Sequence, residues 1–255
     1  MLAWRRQAGA FVPCDSIPLA DRGFRYGMSV FESFRVIAGK PLFLTEHLEC
    51  LRRACERLQF RAEPIAPEAV RETLPKLSGM ARLYVTAGGG DFTAAITHPG
   101  VFLLLEEREK TAVAAYNLAL DPEPHQPLFG GLKTANYWAN LAAYSRARAR
   151  GKEEAVLMDG KGCVLSASLA NLFIVRGGEI ETPASGARAG VLRAWVASRR
   201  PVRQRDLRLD DLAEAEEIFL ASSWLGVMPA ASLEDRRLPS RAAALALQAE
   251  LNVQD

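Results

Sequence analysis

The sequence predicts an α+β protein made of two α/β lobes, and three observations predict it. Strand-like apolar runs alternate with helix-period segments in both halves of the 255 residues. A proline cluster at Pro122, Pro124 and Pro127 breaks that alternation near the middle, where no helix can continue. Apolar residues make up 49 % of the chain, enough to give each half its own interior. The predicted boundaries are 1–112 for a smaller N-terminal lobe, 113–125 for the connection and 126–255 for a larger C-terminal lobe.

In the first lobe, LFLTEHLECLRRACERLQF carries apolar residues at 44, 48, 51, 55 and 58, the stripe of a helix. APEAVRETLPKL is a second helix. RLYVTAG and GVFLLLEE are strands, the one stopped by Gly88-Gly89-Gly90 and the other by charge. In the second lobe, Ala135 to Arg150 predicts a helix whose last turns hold Arg146, Arg148 and Arg150 before Gly151, cations that suit the negative helix end. EAVLMD, CVLSASLANLFIV and EIETP are strands, and the Gly177-Gly178 link between the last two signals a hairpin. VLRAWVASRR is a helix that starts after Gly190 and stops at Pro201. EEIFLASS is a further strand and SRAAALALQAEL a closing helix.

Charge and cysteine usage narrow the function classes. With 32 Lys+Arg against 30 Asp+Glu the net charge is +2, and the basic residues are scattered, so neither nucleic acid nor an acidic membrane is expected as partner. Cys14, Cys50, Cys55 and Cys163 form no CxxC pair and no His/Cys metal spacing, which fits reduced thiols in the cytoplasm and no metal. No apolar run reaches spanning length, and the first residues lack the apolar core of a signal peptide.

Only six residues are lysine, and Lys133, in GGLKTANYW, alone has small and apolar neighbours on both sides. A primary amine withdrawn from water gives up its proton more readily and becomes a nucleophile. Seams between lobes favour ligands.

Four segments in order resemble the class IV (fold type IV) pyridoxal-phosphate enzymes: the branched-chain and D-amino-acid aminotransferases and aminodeoxychorismate lyase. They are DRGFRYGMSVFESFRVIAGKPLFLTEHLECL at 21–51, GLKTANY, DGKGCVLSASLANLFIVRGGEIETP, and ARAGVLR. The resemblance implies two α/β lobes with pyridoxal 5'-phosphate at their interface, a homodimer, and a small amino-acid-like substrate. It makes Lys133 the Schiff-base lysine and the proton shuttle at the substrate carbon. It places Tyr26 near that lysine and the phosphate, although the residues alone leave a core aromatic equally open. For the phosphate it implies the backbone at Gly190, Val191 and Leu192, where a helix start offers free N–H groups, and Ser222 with Ser223. Glu32, Arg35, His47 and Asn171 match motif positions in structural roles. Arg25, Arg82 and His98 are candidates for a substrate carboxylate.

Two positions depart from the family pattern. Cys50 stands where an arginine grips the phosphate, a loss of about 1.5–3 kcal/mol unless Arg53, one turn on, compensates. Ser166 stands where a glutamate pairs with the pyridine nitrogen. A hydroxyl can hydrogen-bond that nitrogen but cannot hold a proton on it electrostatically. Transamination should suffer most and elimination least, which points to a lyase of the 4-amino-4-deoxychorismate type, releasing pyruvate and 4-aminobenzoate. The alternatives are a branched-chain or D-amino-acid aminotransferase and, in another class, a catalytically silent binding protein.

Overall fold

In the computed structural model, which describes residues 1–252, the chain divides into two units. The first comprises Met1–Thr111 and, from further along the chain, Lys133–Asn136; the second comprises the other described residues from Ala112 onward.

The first unit contains β1 (Leu2–Gln7), β2 (Ala10–Pro13), α1 (Arg22–Tyr26), β3 (Ser29–Ile37), β4 (Lys40–Pro41), α2 (Leu44–Arg57), α3 (Pro67–Thr73), β5 (Gly79–Thr86) and β6 (Gly100–Glu107). The strands form one antiparallel sheet in the order β2-β1-β6-β5-β3-β4. Strand residues alternate between two faces, and SVFESFRVI shows the result. Val30, Phe34 and Val36 are fully buried, as are Leu83 and Val85 of β5 and Leu103 and Leu105 of β6. Phe31, Ser33 and Arg35 share the other face with Tyr84 and Arg82, and Arg35, Tyr84 and Arg82 are only half-buried. α2 presents Leu44, His47, Leu51, Ala54 and Cys55 to the interior, so its apolar stripe lies where the periodicity predicts.

The second unit contains β7 (Tyr116–Leu120), α4 (Trp138–Ala149), β8 (Glu154–Met158), β9 (Cys163–Ala167), β10 (Asn171–Arg176), β11 (Glu179–Pro183), α5 (Val191–Arg199), β12 (Val202–Arg205), β13 (Leu207–Arg208), α6 (Leu209–Glu214), β14 (Glu217–Ser222), β15 (Gly226–Leu233), β16 (Arg236–Arg237) and α7 (Ala242–Asn252). Its sheet runs β12-β11-β10-β14-β15-β7-β8-β9-β13, with β16 beside β15. It is mixed, because β15–β7, β7–β8 and β11–β12 pair in parallel. Leu118, Val156, Leu172, Ile174, Ile218 and Leu220 centre one core cluster. The alanine-rich α4 packs Ala143 and Ala147 on Ala119, Ala155 and Leu157, close packing that its small side chains permit.

The hairpin at Gly177-Gly178 is present, both glycines at positive φ, and α5 starts directly after Gly190. Two expectations differ. Helix α4 begins at Trp138, not Ala135, because residues 133–135 bond to β3 through a bridge at Thr134. For the same reason Lys133 groups with the first unit, whereas the sequence predicts it in the second. β15 contains Pro229, which argues against a strand; it sits next to a register shift, where a missing N–H is tolerated. Among the described residues no helix is long and apolar enough to cross a membrane.

Candidate functional site

The lysine segment lies against the edge of β3 through an isolated bridge. The Phe31 amide donates to the Lys133 carbonyl at 2.9 Å, the Ala135 amide donates to the Ser29 carbonyl at 2.9 Å, and Thr134 bridges Val30. Thr134 is buried on the packed side with Val30. Alternation then sends Lys133 to the opposite face, with Phe31 and Ser33. There its Nζ donates to Ser33 Oγ at 3.0 Å and stands 4.6 Å from the centroid of the Phe31 ring. Phe31 is in turn stacked on Tyr84 at 5.0 Å. The half-buried amine is thus held at one place by a hydroxyl and an aromatic face.

The far end of the segment is fixed by Asn136, whose Nδ2 donates to the Gly27 carbonyl at 3.1 Å. Gly27 closes α1 at φ +67, and a Cβ there would lie far inside van der Waals contact of Asn136 Oδ1. The glycine of RYG and the asparagine of KTAN therefore fit each other. Asp21 caps α1 by accepting from the Gly23 amide and also accepts from the Thr86 hydroxyl, both at 2.7 Å. Arg22, fully buried, donates to the carbonyls of Ala87, Gly88, Asp91 and Ala94 and so clamps that loop. Tyr26 is 47 % exposed, edge-on to Phe92 and beneath Arg25, so it is no core aromatic.

Behind this face, Glu32 and His47 form a buried contact of 2.7 Å that ties β3 to α2, the structural role their motif positions imply. Cys50 is half-buried on α2. Arg53 is 71 % exposed and gives its Nε to Glu49 at 2.7 Å. That arrangement lends no support to a compensating role for Arg53.

In the second unit one residue joins the expected phosphate contacts. Asn171 opens β10 directly opposite Ala221, which precedes Ser222 at the end of β14. Its Nδ2 donates to the Arg188 carbonyl at 2.8 Å, and its Oδ1 lies so close to Gly190 that a Cβ there would collide with it. Gly190, Val191, Leu192 and Ser222 thereby come to one end of this sheet. No side chain caps α5 at Gly190, which leaves the first-turn amides and the positive dipole end for an anion. Arg193, buried and short of water, donates to the carbonyl of Pro183 and to Gln204 Oε1; burial lowers its pKa. Ser222 Oγ accepts from the Leu225 amide at 3.2 Å, and Ser223 follows in the turn.

Ser166 is half-buried on β9, opposite Leu157, and the turn Ala167–Ala170 carries the chain from it to Asn171. That turn is held by Glu154, whose carboxylate accepts from the Ser168 hydroxyl and from the Ala155 and Leu169 amides. Burial pushes the Glu154 carboxyl up to about 7, against those hydrogen bonds. Ser33, Asn136 and Glu154 are site-forming residues that the motifs do not flag. Period-two alternation in SVFESFR, which sets Ser33 on the side of Phe31, is the signal that marks the first.

A family model described as amino-transferase class IV matches residues 29–233. A putative branched-chain-amino-acid aminotransferase of Methanocaldococcus jannaschii is 27 % identical over 86 % of this chain and 83 % of its own length. An aminodeoxychorismate lyase of Vibrio harveyi is 25 % identical over 87 % and 89 %. The crystal structure of 4-amino-4-deoxychorismate lyase from Pseudomonas aeruginosa superposes with a TM-score of 0.89 at 28 % identity, covering 98 % of both chains.

Proposed function

The chain belongs to the amino-transferase class IV family, and from that premise we propose that it is a pyridoxal-phosphate enzyme of the 4-amino-4-deoxychorismate lyase kind, eliminating pyruvate to leave 4-aminobenzoate. The observation that carries this reading is the amine of Lys133 held by Ser33 above Phe31, in a chain whose ring-nitrogen position is Ser166. The reading includes a homodimer acting in the cytoplasm on an amino-acid-like substrate.

Each unit by itself carries groups that suit the cofactor. Lys133 offers a primary amine for its aldehyde, and the uncapped start of α5 at Gly190, Val191 and Leu192, with Ser222 and Ser223 beyond Ala221, offers donors for its phosphate. Gly190 leaves the close approach that a side chain would close. Ser166 is assigned to the ring nitrogen, and Tyr26 flanks the glycine that anchors the lysine segment.

When bound, pyridoxal phosphate supplies an electron sink for the carbon that bears the substrate amine. With the cofactor bound, Lys133 would remove the proton from the carbon that bears the substrate amine and deliver it to the departing enolpyruvate, which leaves as pyruvate. The Ser33 hydroxyl, 3.0 Å from Nζ, orients the amine and takes or gives a proton in exchange. Ser166 can donate to an unprotonated ring nitrogen but cannot stabilise a charge there. A weaker sink costs most where the electrons must rest on the ring and least where they leave with a departing carboxyvinyl oxygen. That asymmetry favours elimination over transamination.

A second reading, a branched-chain aminotransferase, is favoured by the YGMSVFES segment and by the Methanocaldococcus jannaschii relative. One experiment separates the two. Purified protein with pyridoxal phosphate is given aminodeoxychorismate, and pyruvate and 4-aminobenzoate are measured; separately it is given branched-chain and D-amino acids with 2-oxoglutarate. Equimolar pyruvate and 4-aminobenzoate, lost in Lys133→Ala, supports the lyase. Glutamate formation with no pyruvate from aminodeoxychorismate replaces it with the aminotransferase.

A further inference from the structure

The face of the first sheet that carries Lys133 also carries a masked arginine. Ser33, which holds the lysine amine, is directly opposite Arg82 on β5. Side chains directly opposed across an antiparallel pair start about 5 Å apart on the same side. Arg82 Nη1 donates to Glu106 Oε2 at 2.9 Å, with the two side chains 31 % and 45 % exposed. Glu106 is on β6, two residues from Leu104, the residue that faces Arg82, so it lies diagonal to Arg82 on that same face.

The pair is not needed to join the strands. β5 and β6 are already paired along their whole length, from Gly79↔Glu107 to Thr86↔Gly100, and half-exposed ion pairs add little to stability. What the pair does is place a carboxylate on a guanidinium that shares its sheet face with the reactive amine. The Arg82 hydrogen bond, more than any other influence, holds the Glu106 carboxyl below its ordinary range, so the mask is ionised at neutral pH.

We propose that Glu106 is a built-in competitor: its carboxylate occupies Arg82 until a carboxylate of the substrate takes its place, so residue 106 sets the affinity of the lysine's face for acidic substrates. The exchange is one ion pair for another. It therefore discriminates against ligands that bring no negative charge to Arg82, since these leave the mask in place and gain nothing from it. It also keeps the guanidinium from binding stray anions when the site holds no substrate.

The inference rests on the lyase reading only for its probe, 4-aminobenzoate, with neutral 4-aminobenzamide as isostere. Both are titrated calorimetrically into wild type, Glu106→Gln, Arg82→Met and the double variant, each with pyridoxal phosphate present. Glu106→Gln should tighten 4-aminobenzoate about two- to fivefold, the span a half-exposed ion pair commands, and change 4-aminobenzamide less than about 1.5-fold. With Arg82 removed, the second substitution should have no effect. No gain, an equal gain for both ligands, or a gain that survives Arg82→Met overturns the proposal. Circular dichroism reports whether the variants keep the fold, as half-exposed positions should. Reduction of cofactor onto Lys133 tests the lyase reading separately, so protein that takes the cofactor at Lys133 but fails these titrations sinks only the role of Glu106.

Discussion

Gly27→Ala tests how the lysine segment is held. Gly27 has φ +67, and an added Cβ would collide with Asn136 Oδ1. The left-handed backbone costs an alanine about 1–2 kcal/mol. The collision forces the Asn136 amide away from the Gly27 carbonyl, 3.1 Å distant, and loses a hydrogen bond worth about 0.5–1.5 kcal/mol. The substitution should therefore cost about 2–3 kcal/mol of unfolding free energy, read from urea denaturation followed by tryptophan fluorescence. In an Asn136→Gly background the collision is gone, so the same substitution should cost only the backbone part, about 1–2 kcal/mol. Borohydride trapping of cofactor at Lys133 should fall in Gly27→Ala and recover in part in the double variant. A cost below about 0.5 kcal/mol, or equal costs in the two backgrounds, would refute the fit between this turn and the lysine segment.

Ser33→Ala removes the hydroxyl on Lys133 and should lower kcat about three- to tenfold while KM stays within twofold; a change in KM alone contradicts a part in proton handling. Ser166→Glu should strengthen the electron sink and raise half-transamination with amino acids, followed by loss of the cofactor's visible band; no gain counts against the sink argument. Glu154, with its carboxyl pushed up from 4.5 to about 7 by burial, binds a proton in the fold that the unfolded chain has already released. Stability from this group is thus greatest at low pH and falls as pH rises from 4.5 towards 7. Relative to Glu154→Gln, wild type should lose about 3 kcal/mol across that window, and urea midpoints that rise instead would contradict it.

Much of the architecture is legible in the residues. The α2 stripe, the Gly177-Gly178 hairpin and the start of α5 at Gly190 follow from local periodicity and turn chemistry, and each is present. What local pattern misses is set by distant pairing. β3 mixes apolar with polar residues on both faces, and its pairing with β5 decides which face is packed. Residues 133–135 have helix-compatible composition but lie along β3, whose edge satisfies the Lys133 carbonyl and the Ala135 amide. The site shows the same division. Lys133 stands out by composition and alternation sets Ser33 on the face of Phe31, but the partners of both, and the role of Asn136, emerge only once residues about a hundred positions apart are paired. Arg53 shows what helical spacing leaves open: it stands one turn from Cys50, and its guanidinium is paired with Glu49 of the same helix.

The central claim is tested most directly by incubating the protein with pyridoxal phosphate, reducing with borohydride and mapping the modified peptide by mass spectrometry. One pyridoxyl group per chain is expected, on Lys133, and none in Lys133→Ala. Label scattered over surface lysines, or no stable adduct at Lys133 at saturating cofactor, would contradict it.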